Sequence, residues 1–270
     1  QNNFNTGSTT PSSFSSIEIV ASEDNTTVLI TPRTAIIGHA VNNTFSITLN
    51  EGETYSARDI NATGASSLSG SIVSANKPVS VTLFSGGLSN NGCNSIVGDQ
   101  ITTSQYAGKS FIIHKSSSAD ERVYILAVQN NTSINITNSS TTTSLINWSE
   151  TKELILTDTI NYISTNKPVY VFHVAGNGCN LSGAQVPNVF CAGTYTTPFT
   201  RSSSDSLGVL LYTRSGFEGM FAVNGNTTLI QASDFSPVPG TSGGFVVGIK
   251  YFSLAEVTIN SFNEISNSGD

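Results

Sequence analysis

Apolar and polar positions exchange with a period of two along most of the chain. The pattern is clearest in Ile17-Glu18-Ile19-Val20, Thr26-Thr27-Val28-Leu29-Ile30-Thr31, Phe45-Ser46-Ile47-Thr48-Leu49, Val79-Ser80-Val81-Thr82-Leu83-Phe84, Ser133-Ile134-Asn135-Ile136-Thr137 and Val169-Tyr170-Val171-Phe172-His173-Val174. A period of two is the signature of half-buried β-strands. Val123–Val128, Val209–Tyr212, Met220–Val223, Phe245–Ile249 and Val257–Ile259 read as further strands. Turn residues punctuate them at Glu23-Asp24-Asn25, Asn50-Glu51-Gly52 and Gln129-Asn130-Asn131. Two of these turns each join a pair of alternating runs, so the pattern predicts β-hairpins of Ile17–Val20 with Thr26–Thr31 and of Val123–Val128 with Ser133–Thr137.

The pattern also repeats. Ser74-Ala75-Asn76-Lys77-Pro78-Val79 recurs 90 residues later as Ser164-Thr165-Asn166-Lys167-Pro168-Val169. An alternating run follows each copy, then a Gly-Asn segment that ends in Asn-Gly-Cys-Asn, carrying Cys93 in one case and Cys179 in the other. Turn, strand and cysteine segment in the same order point to duplication. Proline fixes its own φ and forces the preceding lysine into extended geometry, so each Asn-Lys-Pro marks the mouth of a strand. The expected fold is all-β, built of repeated antiparallel β units of about 90 residues with β-sandwich-like architecture; a propeller-like closure or a single merged β domain are the alternatives. The expected divisions are an N-terminal extension over 1–13, a first unit over 14–107, a second over 108–200, and a third, partial or degenerate unit over 201–270.

Composition narrows the function. The 270 residues are 37% hydrophobic, enough to build a core, but only 11% charged, against about 25% in an average domain. Ser, Thr, Asn and Gly fill the polar positions instead, which suits strands and turns on a secreted or outer-surface protein. The net charge is −7 and the eleven Lys and Arg are scattered, so no basic stripe exists to neutralise phosphates and nucleic acid is excluded as a partner. No run of about 18 apolar residues is present, so this segment is not expected to insert in a membrane. Met220 is the only methionine; a processed mature form, with further chain beyond the polar tail at 260–270, is the expectation.

Three cysteines leave the connectivity open. Cys179 and Cys191 enclose a short Gly- and Asn-rich segment whose closure is worth ~2–3 kcal/mol in the chain-entropy description, and a bridge between them is the favoured pairing. Cys93 is then unassigned, free or paired with either of the others. Zinc is disfavoured, because no Cys-x-x-Cys occurs and His39, His114 and His173 show no ligand spacing. Those histidines fall in strands or loops without a nucleophile elbow or phosphate loop nearby, and no catalytic residue is assigned. Asp24, Asp59, Asp99 and Asp120 stand in turn-like sequence. Calcium held by such oxygen-rich turns is the one cofactor alternative, weighed against aspartates that simply bond their own turn backbone.

Glu23–Pro32, the two Ser-x-Asn-Lys-Pro-Val openings, the cysteine segment after each, and Gly108-Lys109-Ser110-Phe111-Ile112-Ile113 together resemble the N-terminal domain of IgGFc-binding proteins over most of the chain. The Asn-rich, Lys-poor character resembles the bacterial branch of that family, Bacteroidetes-type surface proteins exported by type IX secretion. The resemblance implies adhesion or ligand display rather than catalysis, with an extracellular glycan or protein as partner. Its alternative is a structural or assembly role as a stalk, filament or passenger of outer-membrane secretion or display machinery. Asp158-Thr159-Ile160 and Asp205-Ser206-Leu207 resemble an O-glycosylation sequence of secreted proteins in such bacteria, which makes Thr159 and Ser206 candidate glycan carriers.

Binding residues usually sit on loops held by a rigid scaffold. The two Gly-Asn segments, 85–94 and 176–192, follow equivalent strands and are expected to be loops at equivalent ends of their units. The candidate binding residues are Ser85, Gly86, Gly87, Asn90, Asn91 and Asn94 in the first, and Asn177, Asn180, Gln185 and Asn188 in the second.

Overall fold

Every run read as a strand becomes one except Val257–Ile259. The structure, a computed structural model, describes residues 5–6, 14–60, 68–90, 93–116, 121–138, 141–190 and 193–269. Within them the chain forms twenty-one β-strands, three short 3-10 turns and no α-helix. The fold is all-β, in antiparallel sheets packed face to face.

The first eight strands are β1 (Asn5–Thr6), β2 (Ser15–Ala21), β3 (Thr26–Thr31), β4 (Phe45–Leu49), β5 (Thr54–Arg58), β6 (Ile72–Ala75), β7 (Val79–Asn90) and β8 (Cys93–Gln100). They form one sheet in the order β1-β7-β2-β5, with β8 on β7, and a second in the order β4-β3-β6. Between the two lie Ile17 and Ile19 from one sheet and Val28 and Ile30 from the other, all fully buried. The next seven are β9 (Gly108–His114), β10 (Arg122–Ala127), β11 (Thr132–Thr137), β12 (Thr141–Ile146), β13 (Thr151–Ile155), β14 (Ile160–Asn177) and β15 (Asn180–Val186). These follow the same plan, except that β6 and β7 are fused in β14. Its first part pairs with β9 and β11, and its second with β10 and β15. Phe111, Val123, Ile125, Ile134, Ile163 and Val171 fill the space inside.

The remaining strands are β16 (Thr196–Thr200), β17 (Leu207–Arg214), β18 (Phe221–Val223), β19 (Ser236–Pro237), β20 (Phe245–Phe252) and β21 (Phe262–Asn267). They make two three-stranded sheets, β16-β21-β18 and β17-β20-β19, around Phe221, Val223, Ile230, Phe252, Val257 and Ile265. The apolar run Val257–Ile259 is no strand. Val257 is fully buried and Ile259 makes one isolated bridge to Arg201, so the run plugs the core; the strand is the more polar Phe262–Asn267 just beyond it.

The predicted hairpins are arches. β2 and β3 lie in different sheets, and β10 pairs with β13 and β14 but not with β11. Their apolar faces look at each other across the core instead of side by side, and this follows from the turn chemistry. Asn25 and Asn131 take positive φ, 53° and 54°, which asparagine tolerates better than most residues. The buried Thr26 and Thr132 hydroxyls donate to the carbonyls of Glu23 and Gln129 at 2.6 and 2.7 Å. The Asn25 and Asn131 N–H groups donate to the side-chain oxygens of Asn50 and Asn147, both at 3.2 Å.

Each Asn-Lys-Pro locks such an arch from the opposite side. It occupies the gap between β6 and β7 in one case, and the register shift of β14 between Ser164 and Val169 in the other. Asn76 and Asn166 accept the N–H groups of Thr27 and Ser133 on their side-chain oxygens, both at 2.8 Å. Lys77 and Lys167 donate through Nζ to the carbonyls of Asp24 and Asn130, at 2.6 and 2.5 Å. The repeated motif thus sits where the chain passes from one sheet of a sandwich to the other. Because the Asn166 bond satisfies the N–H of Ser133, the second residue of β11, at a solvent-facing site, Asn166→Ala is expected to lower the free energy of unfolding by about 1 kcal/mol. A urea titration showing no change in midpoint would refute this bracing role.

Candidate functional site

The two Gly-Asn segments are long hairpin arms rather than loops. Ser85 and Gly86 lie within β7, Asn94 within β8, and Asn180 and Gln185 within β15. A hairpin continues wherever alternate side chains find a surface to bury, and here the arms bury against each other. Leu88 and Val97 of the first meet Val174 and Leu181 of the second, with Phe172 and Tyr124 at the margin. Gly183 makes the approach feasible, since a Cβ there would overlap the side chains of Val97 and Phe172.

Polar contacts fix the register of this junction. The Ser95 hydroxyl accepts the Leu181 N–H at 2.9 Å, and the Asp99 carboxylate accepts the Gln185 N–H at 2.8 Å. The Gln185 carboxamide exchanges two bonds with Thr102, accepting its N–H at 3.1 Å and donating to its hydroxyl at 2.7 Å. Tyr170 donates its hydroxyl to the Thr102 carbonyl at 2.9 Å, and burial raises its phenol pKa.

At the tips Cys93 and Cys179 form a disulfide, with their Cα atoms 5.4 Å apart. This overturns the expected Cys179–Cys191 bridge. Sequence proximity favoured the shorter loop, whereas the face-to-face arms bring two residues 86 apart to bonding distance. Cys191 and Asn91 lie outside the described residues.

The candidate binding residues therefore divide. Ser85 is buried and shares a hydroxyl–hydroxyl bond of 3.1 Å with Ser15, while Asn94 and Asn180 are exposed on the arms. Gly86, Gly87, Asn90 and Asn177 belong to the arm strands. Gln185 and Asn188 come together in a cleft of about 400 Å³ with Asp99, Gln100, Thr102, Tyr106 and Pro187. Tyr106, on a 3-10 turn over Ser104–Tyr106, is 60% exposed at its rim. Sequence reasoning missed Thr102, Tyr106 and Pro187. Thr102 and Tyr106 lie on the connection between the first two repeats, where no periodicity marks a residue, and only the closing of the arms brings them opposite Gln185, while Pro187 stands just past the end of β15, two residues from Gln185.

The candidate calcium aspartates stay apart. Asp24 accepts the Glu51 N–H at 3.1 Å, Asp99 is used as above, Asp59 is buried near the start of the chain, and Asp120 lies outside the described residues. Among the described residues no three of His, Cys, Asp and Glu converge as a metal site. Thr159 and Ser206 are both exposed outside strands.

One acidic and two imidazole groups do gather beneath the second arm. Glu121 is fully buried, takes the Ser116 N–H at 2.9 Å and pairs with His173 Nε2 at 3.1 Å. His114 bonds through Nδ1 to the Lys115 carbonyl at 2.7 Å. The Ser116 hydroxyl donates to the Gly176 carbonyl at 3.2 Å and so is directed at neither imidazole. Burial lowers the His114 pKa, outweighing the Lys115 carbonyl and the Glu121 carboxylate, which favour the charged form; His173 adds to the lowering. A lowered histidine binds fewer protons folded than unfolded, so its contribution is intact above the usual value of about 6.5 and is lost as pH falls below it.

The fold is thus an all-β chain of sandwiches joined by cross-linked hairpin arms with a cleft at the seam, tied by a disulfide of the kind that persists in oxidising surroundings. A sequence model of the IgGFc binding protein family matches residues 2–266, and the chain belongs to that family. Domains of this family are extracellular binding modules, and among the described residues no helix is long and apolar enough to cross a membrane. No curated protein and no solved structure matches the chain.

Two outcomes are expected at this site. Closing an 86-residue separation is worth roughly 4–5 kcal/mol in the chain-entropy description. Cys179→Ser should lose most of that on denaturation, and non-reducing peptide mapping of the native chain should recover Cys93 joined to Cys179. Recovery of Cys179 joined to Cys191 would contradict the junction. Separately, the denaturation midpoint of His114→Gln should fall less than that of the native chain between pH 7 and pH 5; parallel profiles would remove His114 as the cause.

Proposed function

We propose that the chain is a surface-displayed or secreted adhesin-type module that holds its ligand in the cleft between the two hairpin arms, and that the ligand is a glycan. The carrying observation is the composition of that cleft. An exposed phenol ring, Tyr106, stands beside the carboxylate of Asp99, the carboxamides of Gln100, Gln185 and Asn188, and the hydroxyl of Thr102. Aromatic faces stack against the apolar face of a pyranose, while carboxylates and carboxamides take its hydroxyls in pairs. Several of these polar groups are already fixed by bonds across the junction, and a preorganised site loses less entropy on binding. The reading is non-catalytic, since the cleft holds one carboxylate and no histidine.

A specific observation also favours a structural role. The arms expected to reach for ligand spend most of their inward surface on each other, as they would in a spacer whose task is to hold successive sandwiches in line. A glycan array probed with the purified chain separates the two. The binding role requires a saturable hit whose affinity falls at least tenfold in Tyr106→Ala with the unfolding midpoint unchanged; a hit indifferent to Tyr106→Ala, or none, supports the spacer.

A further inference from the structure

The two arms meet residue for residue. Cys93 joins Cys179, Ser95 bonds Leu181 and Asp99 bonds Gln185, and the partners in each pair stand 86 residues apart. Val97 and Gly183, which approach most closely between them, keep the same spacing. Equivalent positions of two repeats that face each other at every level make an isologous contact, one surface used from both sides. The cleft lies at its foot, and its lips are equivalent positions again, Asp99 with Thr102 on the first arm and Gln185 with Asn188 on the second.

The lips differ in charge. Asp99 is half-buried and is the one carboxylate of the cleft, its counterpart Gln185 is neutral, and neither Lys, Arg nor His lines the site. Two backbone N–H groups orient the carboxylate: Oδ1 accepts that of Gln100 and Oδ2 that of Gln185, both at 2.8 Å. Elsewhere Glu121, Glu153 and Asp234 each face a basic side chain, whereas Asp99 forms no ion pair among the described residues. Each of its oxygens keeps a further acceptor site. A carboxylate partly withdrawn from water and without a counter-charge favours a ligand that brings one. Tyr106, at the rim of the same cleft, adds an aromatic face, which also attracts a cation.

We propose that the cleft selects an amino sugar, a glycan whose hexosamine carries a free, protonated amine, and that this amine sits between the Asp99 carboxylate and the Tyr106 ring. The inference rests on the glycan reading of the cleft and names the class of sugar it takes. A hydroxyl in the amine's place leaves the carboxylate without a counter-charge, an N-acetyl group sets a neutral carbonyl and a methyl against it, and an acidic sugar is repelled. Because the charge lies on the first arm alone, it also sets direction: the amine-bearing residue lies towards Asp99, and neighbouring hydroxyls face the neutral lip of Gln185 and Asn188.

The test titrates the whole chain with four β-1,4-linked oligosaccharides of equal length, built from glucosamine, N-acetylglucosamine, glucose and glucuronic acid. Calorimetry at pH 6 and low salt should show saturable binding of the glucosamine oligomer at least tenfold tighter than that of the glucose oligomer, with the acidic oligomer weakest. Raising the salt should shrink this advantage, since screening acts on the charged pair and not on the hydroxyl contacts. Asp99→Asn, which keeps an oxygen for the Gln185 N–H, should erase the preference; should that variant not fold, the ranking and the salt dependence of the native chain decide alone. Equal binding of the glucosamine and glucose oligomers, tightest binding of the N-acetylated or acidic oligomer, an advantage indifferent to salt, or a preference that survives Asp99→Asn would each overturn this inference and leave the glycan reading standing. Binding of a lysine peptide in place of every oligosaccharide, or of nothing at all, would remove both.

Discussion

Everything in this molecule depends on a strand changing sheets. A sandwich closes only if the chain crosses from one layer to the other without leaving backbone donors unpaired at the crossing. Here the crossing is made by Asn-Lys-Pro. Proline supplies the bend and lacks the N–H that a ladder would miss, the asparagine oxygen takes the N–H of the second residue of the facing strand, and the lysine caps the carbonyl of the opposite arch. The same three residues do this twice with bond lengths that agree within 0.1 Å. The motif is therefore a closure device, and its repetition marks fold rather than ligand contact.

From that closure follows the position of the hairpin arms. A strand that enters the sheet at a fixed point and direction, as β7 and β14 do, leaves it at a fixed point too, and both continue beyond the sandwich as β-ribbon. A free two-stranded ribbon is only marginally stable in water. The two ribbons resolve this together by burying Leu88, Val97, Val174 and Leu181, and the disulfide then ties a contact distant in sequence. A second, smaller contact completes the join: Ser69 and Thr151 share a hydroxyl bond of 2.8 Å, and the Arg33 guanidinium lies 5.7 Å from the Trp148 ring centroid. The cleft is a by-product of the seam, formed where β8 and β15 end and the chain turns towards β9.

Strands and the duplication were legible because they rest on local periods: alternation along each strand, and a motif at a fixed distance. Partners were not. Ile17–Val20 and Thr26–Thr31 have the sequence of a hairpin, and only the positive φ of Asn25 with the inward Thr26 hydroxyl turns them into an arch; no residue count distinguishes the two. Cysteine pairing failed for the same reason, since loop length was visible and the meeting of the arms was not. Gln185 and Asn188 were found as members of a turn-rich segment, while Tyr106 stayed hidden because its role exists only across a tertiary junction.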